Sequence, residues 1–179
     1  MGKSGKLIVF GAAYDDVGDA MKDFAEMKDM HGEHEIGDYD AGIVTREPSG
    51  MLILSNGDST GHYKGATAGA VVGAVLGVVF PPSMLGLSAL GAAAGAAIGG
   101  VKKHIGRGDI KSLGDLLQPG ESGILLVTTS VSDKAGAALM PRAKRKKAIE
   151  VEGDAEAIVA AVRAAAAPHA ISDTPDASE

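Results

Sequence analysis

Two histidines and three carboxylates lie close together in the segment Met30-His31-Gly32-Glu33-His34-Glu35-Ile36-Gly37-Asp38. His31 and His34 form a His-x-x-His pair, and imidazole and carboxylate groups are ligands that divalent metals accept. The same residue types at the C-terminal end of a helix are also typical of a solvated loop. We therefore expect no functional metal site and no cofactor.

Glycine and serine patterns are the other candidates for chemistry. The sequence contains no G-x-x-x-x-G-K-[ST] pattern, and the glycines near the first strand lack the G-x-G-x-x-G turn into a helix. Ser88 lies in an apolar segment without the setting of a nucleophile elbow. The absence of cysteine excludes thiol chemistry and disulfides. These patterns predict a protein that is not an enzyme.

Basic residues form one dense stretch and also flank an apolar segment. The stretch comprises Arg142, Lys144, Arg145, Lys146 and Lys147, and the flanking residues are Lys64, Lys102 and Lys103. Near a membrane each such charge contributes about 1 kcal/mol of attraction to anionic lipid, so we expect lipid contact here. The alternative is an edge strand protected by lysines, on which Arg145 and Lys146 would face opposite sides. The net charge of −6 disfavours a general nucleic-acid binder.

An uncharged run between Lys64 and Lys102 carries glycine at every fourth residue in two parts. These glycines are Gly65, Gly69, Gly73 and Gly77, followed by Gly91, Gly95 and Gly99. In a helix, residues four apart share a face, and a face of glycines lets another helix approach closely. Since each glycine weakens a helix by up to about 1 kcal/mol relative to alanine, packing must hold these helices. We predict a glycine zipper that mediates self-association.

Pro81-Pro82 divides the zipper into a hairpin of roughly residues 65–80 and 84–101. Each arm would be about 24 to 27 Å long, slightly short of the roughly 30 Å hydrocarbon core of a bilayer. Positive charges lie at the open end, so an inserted hairpin leaves both termini on the cytoplasmic side. We expect the cell membrane, with a cytoplasmic soluble assembly that buries the hairpin as the alternative.

The sequence outside the hairpin predicts an α/β domain in two halves. The first half has a strand at 6–12, a helix beginning at Asp15 or Asp16, and strands at 40–46 and 51–55. The second half has a helix at 109–117, a buried strand at 123–129, a helix at about 132–142, a strand at about 146–151 and a helix after Gly153.

The expected fold is α+β: a ferredoxin-like βαβ-type sandwich, with helices covering one face of the sheet and the glycine-zipper helical hairpin inserted between its halves. We expect the first half at 1–60, the hairpin at 61–105, the second half at 106–167 and a disordered acidic tail at 168–179.

Several motifs occur in a distinctive order. They are Asp38-Tyr39-Asp40-Ala41-Gly42-Ile43-Val44, the Gly50 turn, the glycine-rich hairpin, the helix from Ile110 to Leu117, and Pro119-Gly120-Glu121-Ser122-Gly123-Ile124-Leu125-Leu126-Val127. Over roughly residues 6–165 this order resembles the bacterial predicted membrane proteins grouped as domain of unknown function 1269. The resemblance implies membrane association and supplies no catalytic residues.

Three classes of function are consistent with these features. We expect a non-enzymatic membrane-associated protein that self-assembles through the zipper hairpin, with a cytoplasmic α/β adaptor or sensor domain. The first alternative is a soluble homo-oligomeric scaffold or shell whose hairpins enclose an apolar ligand such as a lipid or quinone. The second is a pore-forming or membrane-stress protein. The expected partners are further copies of the chain and membrane lipid, and not nucleic acid.

Overall fold

A computed structural model of the protein describes residues 6–61, 70–80, 82–84, 105–151 and 160. The strands are β1 (Leu7–Tyr14), β2 (Tyr39–Arg46), β3 (Leu52–Ser59), β4 (Ser122–Thr128) and β5 (Arg145–Val151). The α-helices in these ranges are α1 (Val17–Gly32), α2 (Ala70–Val79), α3 (Arg107–Leu116) and α4 (Asp133–Ala138), and Pro82–Met84 forms a 3-10 turn. The predicted mixed α/β class is confirmed.

The five strands form one antiparallel sheet in the order β3-β2-β4-β1-β5. Because β1 and β2 both run antiparallel to β4, they are parallel to each other and β4 lies between them. Every residue of β4 is buried, which confirms the predicted buried strand. A register shift between Ala41 and Ile43 marks a bulge where β2 pairs with β3.

Helices cover both faces of the sheet, so the prediction that they cover a single face was wrong. Alternate residues of β1 point to two separate apolar clusters, as the two-residue period of a strand requires. Leu7 and Val9 join the cluster that contains α2 and α3. Ala12 and Tyr14 join the cluster that contains α1 and α4. The single-layer prediction missed the second layer, which α2 and α3 supply together.

The helix α1 begins where its sequence predicts. The Asp16 side chain accepts a hydrogen bond of 2.6 Å from the Gly18 backbone N–H, which caps the first turn. The buried stripe of α1 consists of Ala20, Asp23, Phe24 and Met27, positions three or four apart on one face. The stripe holds α1 against the sheet and carries one carboxylate into the interior.

Two glycines of the sheet have no room for a side chain, one beneath α3 and one beside a neighbouring strand. A Cβ on Gly11 would come within 2.7 Å of Leu116 Cδ2, and a Cβ on Gly123 within 2.7 Å of the Ala12 carbonyl oxygen. A side chain at Gly11 would therefore push α3 outward, and one at Gly123 would press on the neighbouring strand.

Several predicted elements differ from the observed ones at their ends. β3 extends to Ser59 rather than Ser55, and α4 ends at Ala138 rather than near residue 142. Residues 85–101, the predicted helix after Gly153 apart from residue 160, and the acidic tail at 168–179 lie outside the described residues. The boundaries proposed for the hairpin and the two half-domains stay a prediction.

Candidate functional site

Within the segment predicted to form a glycine zipper, the structure describes α2, which lies against the sheet. Its sequence, AVVGAVLGVV, has no polar side chain. The six consecutive residues from Val71 to Leu76 are all buried, and they share a cluster with Val44, Leu125 and Val127 of the sheet. The described part of the predicted first arm, α2, is therefore part of the core of the α/β domain.

Asp40 of β2 holds the N-terminal end of α2. Its carboxylate oxygen Oδ2 accepts hydrogen bonds of 2.9 Å from both the Val71 and the Val72 backbone N–H groups. The residue is 1% exposed. Because the first N–H groups of a helix have no partner within it and carry partial positive charge, a carboxylate placed there satisfies them and favours the helix dipole.

Arg46 of β2 lies at the other end of α2. Its guanidinium carbon is 5.7 Å from the centre of the Phe80 ring, and its Nη1 donates a 2.7 Å hydrogen bond to the Leu117 carbonyl beyond α3. Its Nε is buried and has no hydrogen-bond partner among the described residues. Since Asp40 and Arg46 stand at opposite ends of β2, α2 runs in the same direction as that strand.

Apolar contact holds α2 more strongly than these two polar residues do. Full burial of a valine or leucine side chain contributes about 1.5–3 kcal/mol, and Val71, Val72, Val75 and Leu76 are each at most 6% exposed. A helix cap contributes about 0.5–2 kcal/mol and a cation–π contact about 0.5–2 kcal/mol. The polar residues therefore fix the position of α2, whereas its side chains supply most of the binding energy.

A small apolar cavity lies between α2, α3 and the sheet. Its volume is about 30 Å³, and its walls include Gly11, Val44, Val79, Phe80 and Leu113. Sites for small organic ligands have volumes of about 300–1,000 Å³. This cavity therefore has room for little more than water.

Two of the predicted zipper glycines fall within the described residues. Gly73 is buried in α2 and Gly77 is half-buried. Gly65, Gly69, Gly91, Gly95 and Gly99 lie outside the described residues. The predicted role of all seven in oligomerisation stays a prediction.

The predicted basic patch lies on and before the edge strand β5. β5 ends the sheet, which confirms the edge-strand alternative. Arg145 Nη2 donates to the Leu116 carbonyl of α3, whereas Lys146 Nζ donates to the Leu139 carbonyl beside α4, so these two residues face opposite sides as expected. Lys144 pairs with Asp15. Lys64, Lys102 and Lys103 lie outside the described residues, and lipid contact by the patch stays a prediction.

Arg142 differs from the rest of the patch because it is tied to a buried carboxylate. Asp23, which is 1% exposed, accepts hydrogen bonds from Arg142 N at 3.0 Å, Arg142 Nη1 at 2.5 Å and the Tyr14 hydroxyl at 3.0 Å. Arg142 Nη2 also pairs with Glu26 at 2.7 Å. Burial, reinforced by the hydrogen bond to Asp23, raises the pKa of Tyr14 well above its ordinary value. Tyr14 therefore stays a proton donor to Asp23.

A second tyrosine makes a similar contact on the same face. The Tyr39 hydroxyl donates to the Asp58 carboxylate of β3, and Lys28 lies 3.6 Å from the same carboxylate. Burial raises the pKa of Tyr39, and the hydrogen bond to Asp58 raises it further. The His31 ring packs edge-on against Tyr39 at 5.2 Å.

The His and carboxylate cluster predicted near residues 31–38 is spread over separate contacts. His31 Nδ1 lies 3.1 Å from the Ile36 carbonyl oxygen, and Glu35 binds Lys134 and Ser132 near α4. Over the described residues, no three His, Cys, Asp or Glu side chains come close enough together to hold a metal ion.

Sequence reasoning missed the structural roles of Asp23, Asp40 and Arg46. A signal for Asp23 exists, since it stands three residues after Ala20 and four before Met27 on the apolar stripe of α1. Asp40 is likewise a charged residue in an otherwise buried segment, the strand β2. A charged residue on a buried face requires a partner, and these two have theirs in Arg142 and the N-terminus of α2.

The fold and this attachment define a class of protein: a mixed α/β domain that carries an apolar, glycine-rich helix on one face of its sheet. A family model described as "Protein of unknown function (DUF1269)" matches residues 66–163. The chain belongs to this family. No curated protein and no solved structure matches the chain. Along the described ranges, no helix is both long and apolar enough to cross a membrane.

Proposed function

We propose that this protein is a non-enzymatic, membrane-associated protein that self-assembles through a glycine-zipper hairpin. Its α/β domain would serve as a cytoplasmic adaptor or sensor, with both termini in the cytoplasm. The observation that carries the proposal is α2, a helix of 10 residues without a polar side chain. Helices that are apolar all round are typical of protein cores and membrane segments, and the uncharged run continues from α2 to Val101.

The buried carboxylates are engaged in hydrogen bonds that hold helices, which supports a role without catalysis. Asp23 accepts three hydrogen bonds from Tyr14 and Arg142, and Asp40 accepts two from α2. Each of these carboxylates thus stabilises the packing of a helix. A general acid or base instead needs a proton that it can exchange with a substrate.

The connections in the sheet support a ferredoxin-like fold. β1 and β2 are parallel with β4 between them, and β4 and β5 are parallel with β1 between them. Two interlocked split β-α-β units of this kind are the ferredoxin-like pattern. β3 then adds a fifth strand beside β2.

Cell fractionation followed by light-scattering mass measurement tests the proposed function. We expect the protein in the membrane pellet, released by detergent but not by high salt, with a mass of several chains. A protein found only in the soluble fraction would contradict membrane association.

Lipid contact by the basic patch is tested by removing the lysines alone. We expect K144A/K146A/K147A to bind phosphatidylglycerol vesicles about a hundredfold more weakly than the wild type, because each of the three charges contributes about 1 kcal/mol. Arg145 is kept, since it caps the C-terminal end of α3. Equal binding would leave the patch with its edge-strand role only.

The proposed zipper is tested by substitutions in its second glycine series, which follows Pro82. Gly73 is buried in the domain, so leucine at residue 73 would disturb the docking of α2 as well as any zipper contact. We therefore choose Gly95→Leu with Gly99→Leu, and we expect smaller species by light scattering because the larger side chains block close helix approach. An unchanged mass would contradict the zipper.

A soluble homo-oligomeric assembly is the second candidate, and the burial of Val71–Leu76 favours it. In that case α2 would serve permanently as a core helix. The same light-scattering experiment distinguishes the two candidates, because a soluble assembly has the same mass with and without detergent and does not sediment with membranes.

A further inference from the structure

The docked position of α2 hides the residues that the proposed function needs. Gly73 and its neighbours from Val71 to Leu76 are buried, so neither lipid nor a second copy of the chain can reach them in this arrangement. Membrane contact through α2 therefore requires α2 to leave the sheet.

The polar groups that fasten α2 all belong to other elements. Asp40 and Arg46 lie on β2, and the side chains of α2 from Val71 to Val79 are aliphatic or absent. When α2 leaves the sheet, both charged groups stay behind. The departing helix then carries no charged side chain into an apolar environment, where such a group is costly.

We propose that α2 is a releasable helix, docked on the sheet in water through Asp40 and Arg46 and undocked when the protein engages a lipid surface. This inference rests on the proposed membrane association. The docked form keeps apolar surface away from water. Lipid replaces the sheet as the apolar surroundings of α2, so the helix exchanges one apolar contact for another.

A disulfide can test release, because the chain contains no cysteine. An ideal Cβ on Gly114 of α3 lies 3.5 Å from Val79 Cγ1 of α2. Val79 Cγ1 lies about where the sulfur of a cysteine at residue 79 would lie, so V79C/G114C brings that sulfur next to the Cβ of the second cysteine, within reach of a disulfide. The oxidised variant staples α2 to α3, and reduction with dithiothreitol frees it again.

The experiment is flotation of the full chain with phosphatidylglycerol vesicles. We expect the oxidised V79C/G114C protein to float at least tenfold less than the reduced protein, and the reduced protein to float like the wild type. The control is T45C/I53C, which joins opposite residues of β2 and β3 and leaves α2 free; it should float equally in both redox states.

Each outcome bears on a different part of the proposal. Equal flotation of the stapled and reduced proteins would overturn release, while membrane association would stand. If the wild type does not float with the vesicles at all, both release and membrane association are overturned. Loss of flotation only in the stapled state supports release.

A second variant tests the fastening itself. Asp40→Asn removes the charge that holds the α2 N-terminus, and we expect the floated fraction to rise about two- to tenfold. Asp19→Asn is the control, since that carboxylate is exposed and pairs only with Lys22 among the described residues. The staple should cancel the gain in D40N/V79C/G114C; a gain that persists in the stapled protein would overturn release.

Discussion

On one face of the sheet, α1 is held by hydrogen-bonded charged groups, whereas α2 on the opposite face rests on apolar side chains and is fastened only at its ends. The α1 face contains the Asp23–Arg142 pair and the Tyr39–Asp58 contact. On the α2 face, the polar groups that meet α2 in the described residues are Asp40 and Arg46.

This difference distinguishes a permanent attachment from a reversible one. Breaking a buried ion pair leaves charges without partners, so separation of α1 from Arg142 is strongly opposed. Apolar contacts are non-directional, and any other apolar surface can replace them. The two faces should therefore respond differently to mutation and to pH.

The largest expected effect is on the α1 face. Asp23→Ala leaves the buried Tyr14 hydroxyl without its acceptor, while Arg142 keeps only Glu26 among the described residues, and we expect the free energy of unfolding to fall by about 2–4 kcal/mol. Urea denaturation monitored by circular dichroism measures this loss. Asp19→Ala removes an exposed carboxylate from the same helix and should cost less than about 1 kcal/mol; similar losses for the two variants would contradict the distinction.

A smaller effect is expected at the start of α2. Asp40→Ala removes the acceptor of the Val71 and Val72 N–H groups, and we expect a loss of about 1–2 kcal/mol in the free energy of unfolding. Hydrogen exchange at these two amides should accelerate more than exchange in α1. Uniform acceleration in both helices would mean that Asp40 stabilises the whole domain and not α2 in particular.

A stabilising change is expected in α3. A Cβ on Gly108 would meet no atom within 4 Å, so Gly108→Ala should raise the free energy of unfolding by about 0.4–1 kcal/mol by restricting the unfolded chain. Gly11→Ala is the comparison, because its Cβ would come within 2.7 Å of Leu116 Cδ2. We expect no gain there; equal gains would show that α3 does not need close approach to the sheet.

The smallest expected effect concerns pH. A hydrogen bond from Lys134 lowers the pKa of Glu35, and one from Arg142 lowers the pKa of Glu26, relative to the ordinary value of 4.5. Both groups therefore stabilise the fold above pH 4.5, and this contribution is lost as the pH falls through their folded-state pKa values. Glu35→Gln should flatten the decline in unfolding free energy between pH 5 and 3, measured by urea denaturation. An unchanged slope would contradict the role of Glu35.

The sequence predicts the strands and α1 well because their signals are local. Short apolar runs mark β1 and β2, and Asp16 precedes the apolar stripe of α1 as a cap. The apolar run of β4 similarly indicates its central place in the sheet.

The layer that contains α2 was not predictable in the same way. Its apolar, glycine-rich sequence fits a membrane segment, a helix pair or a core helix equally, because each offers apolar surroundings. Tertiary contacts assign α2 to the sheet, and among them those of Asp40 and Arg46 come from residues that lie 30 and 24 positions before Ala70 in the chain.

Because Asp40 and Arg46 lie on one strand and contact the two ends of α2, their spacing on β2 limits the length of that helix. Asp40 and Arg46 are six steps apart along the strand, a distance of about 20 Å, and the ten residues from Val71 to Phe80 span nine helical steps, a rise of about 14 Å. The long side chain of Arg46 spans the difference by reaching over Phe80. One additional helical turn would move an end of α2 by about 5.4 Å, so the helix could then contact only one of the two residues Asp40 and Arg46. The sheet thus accepts a helix of one length.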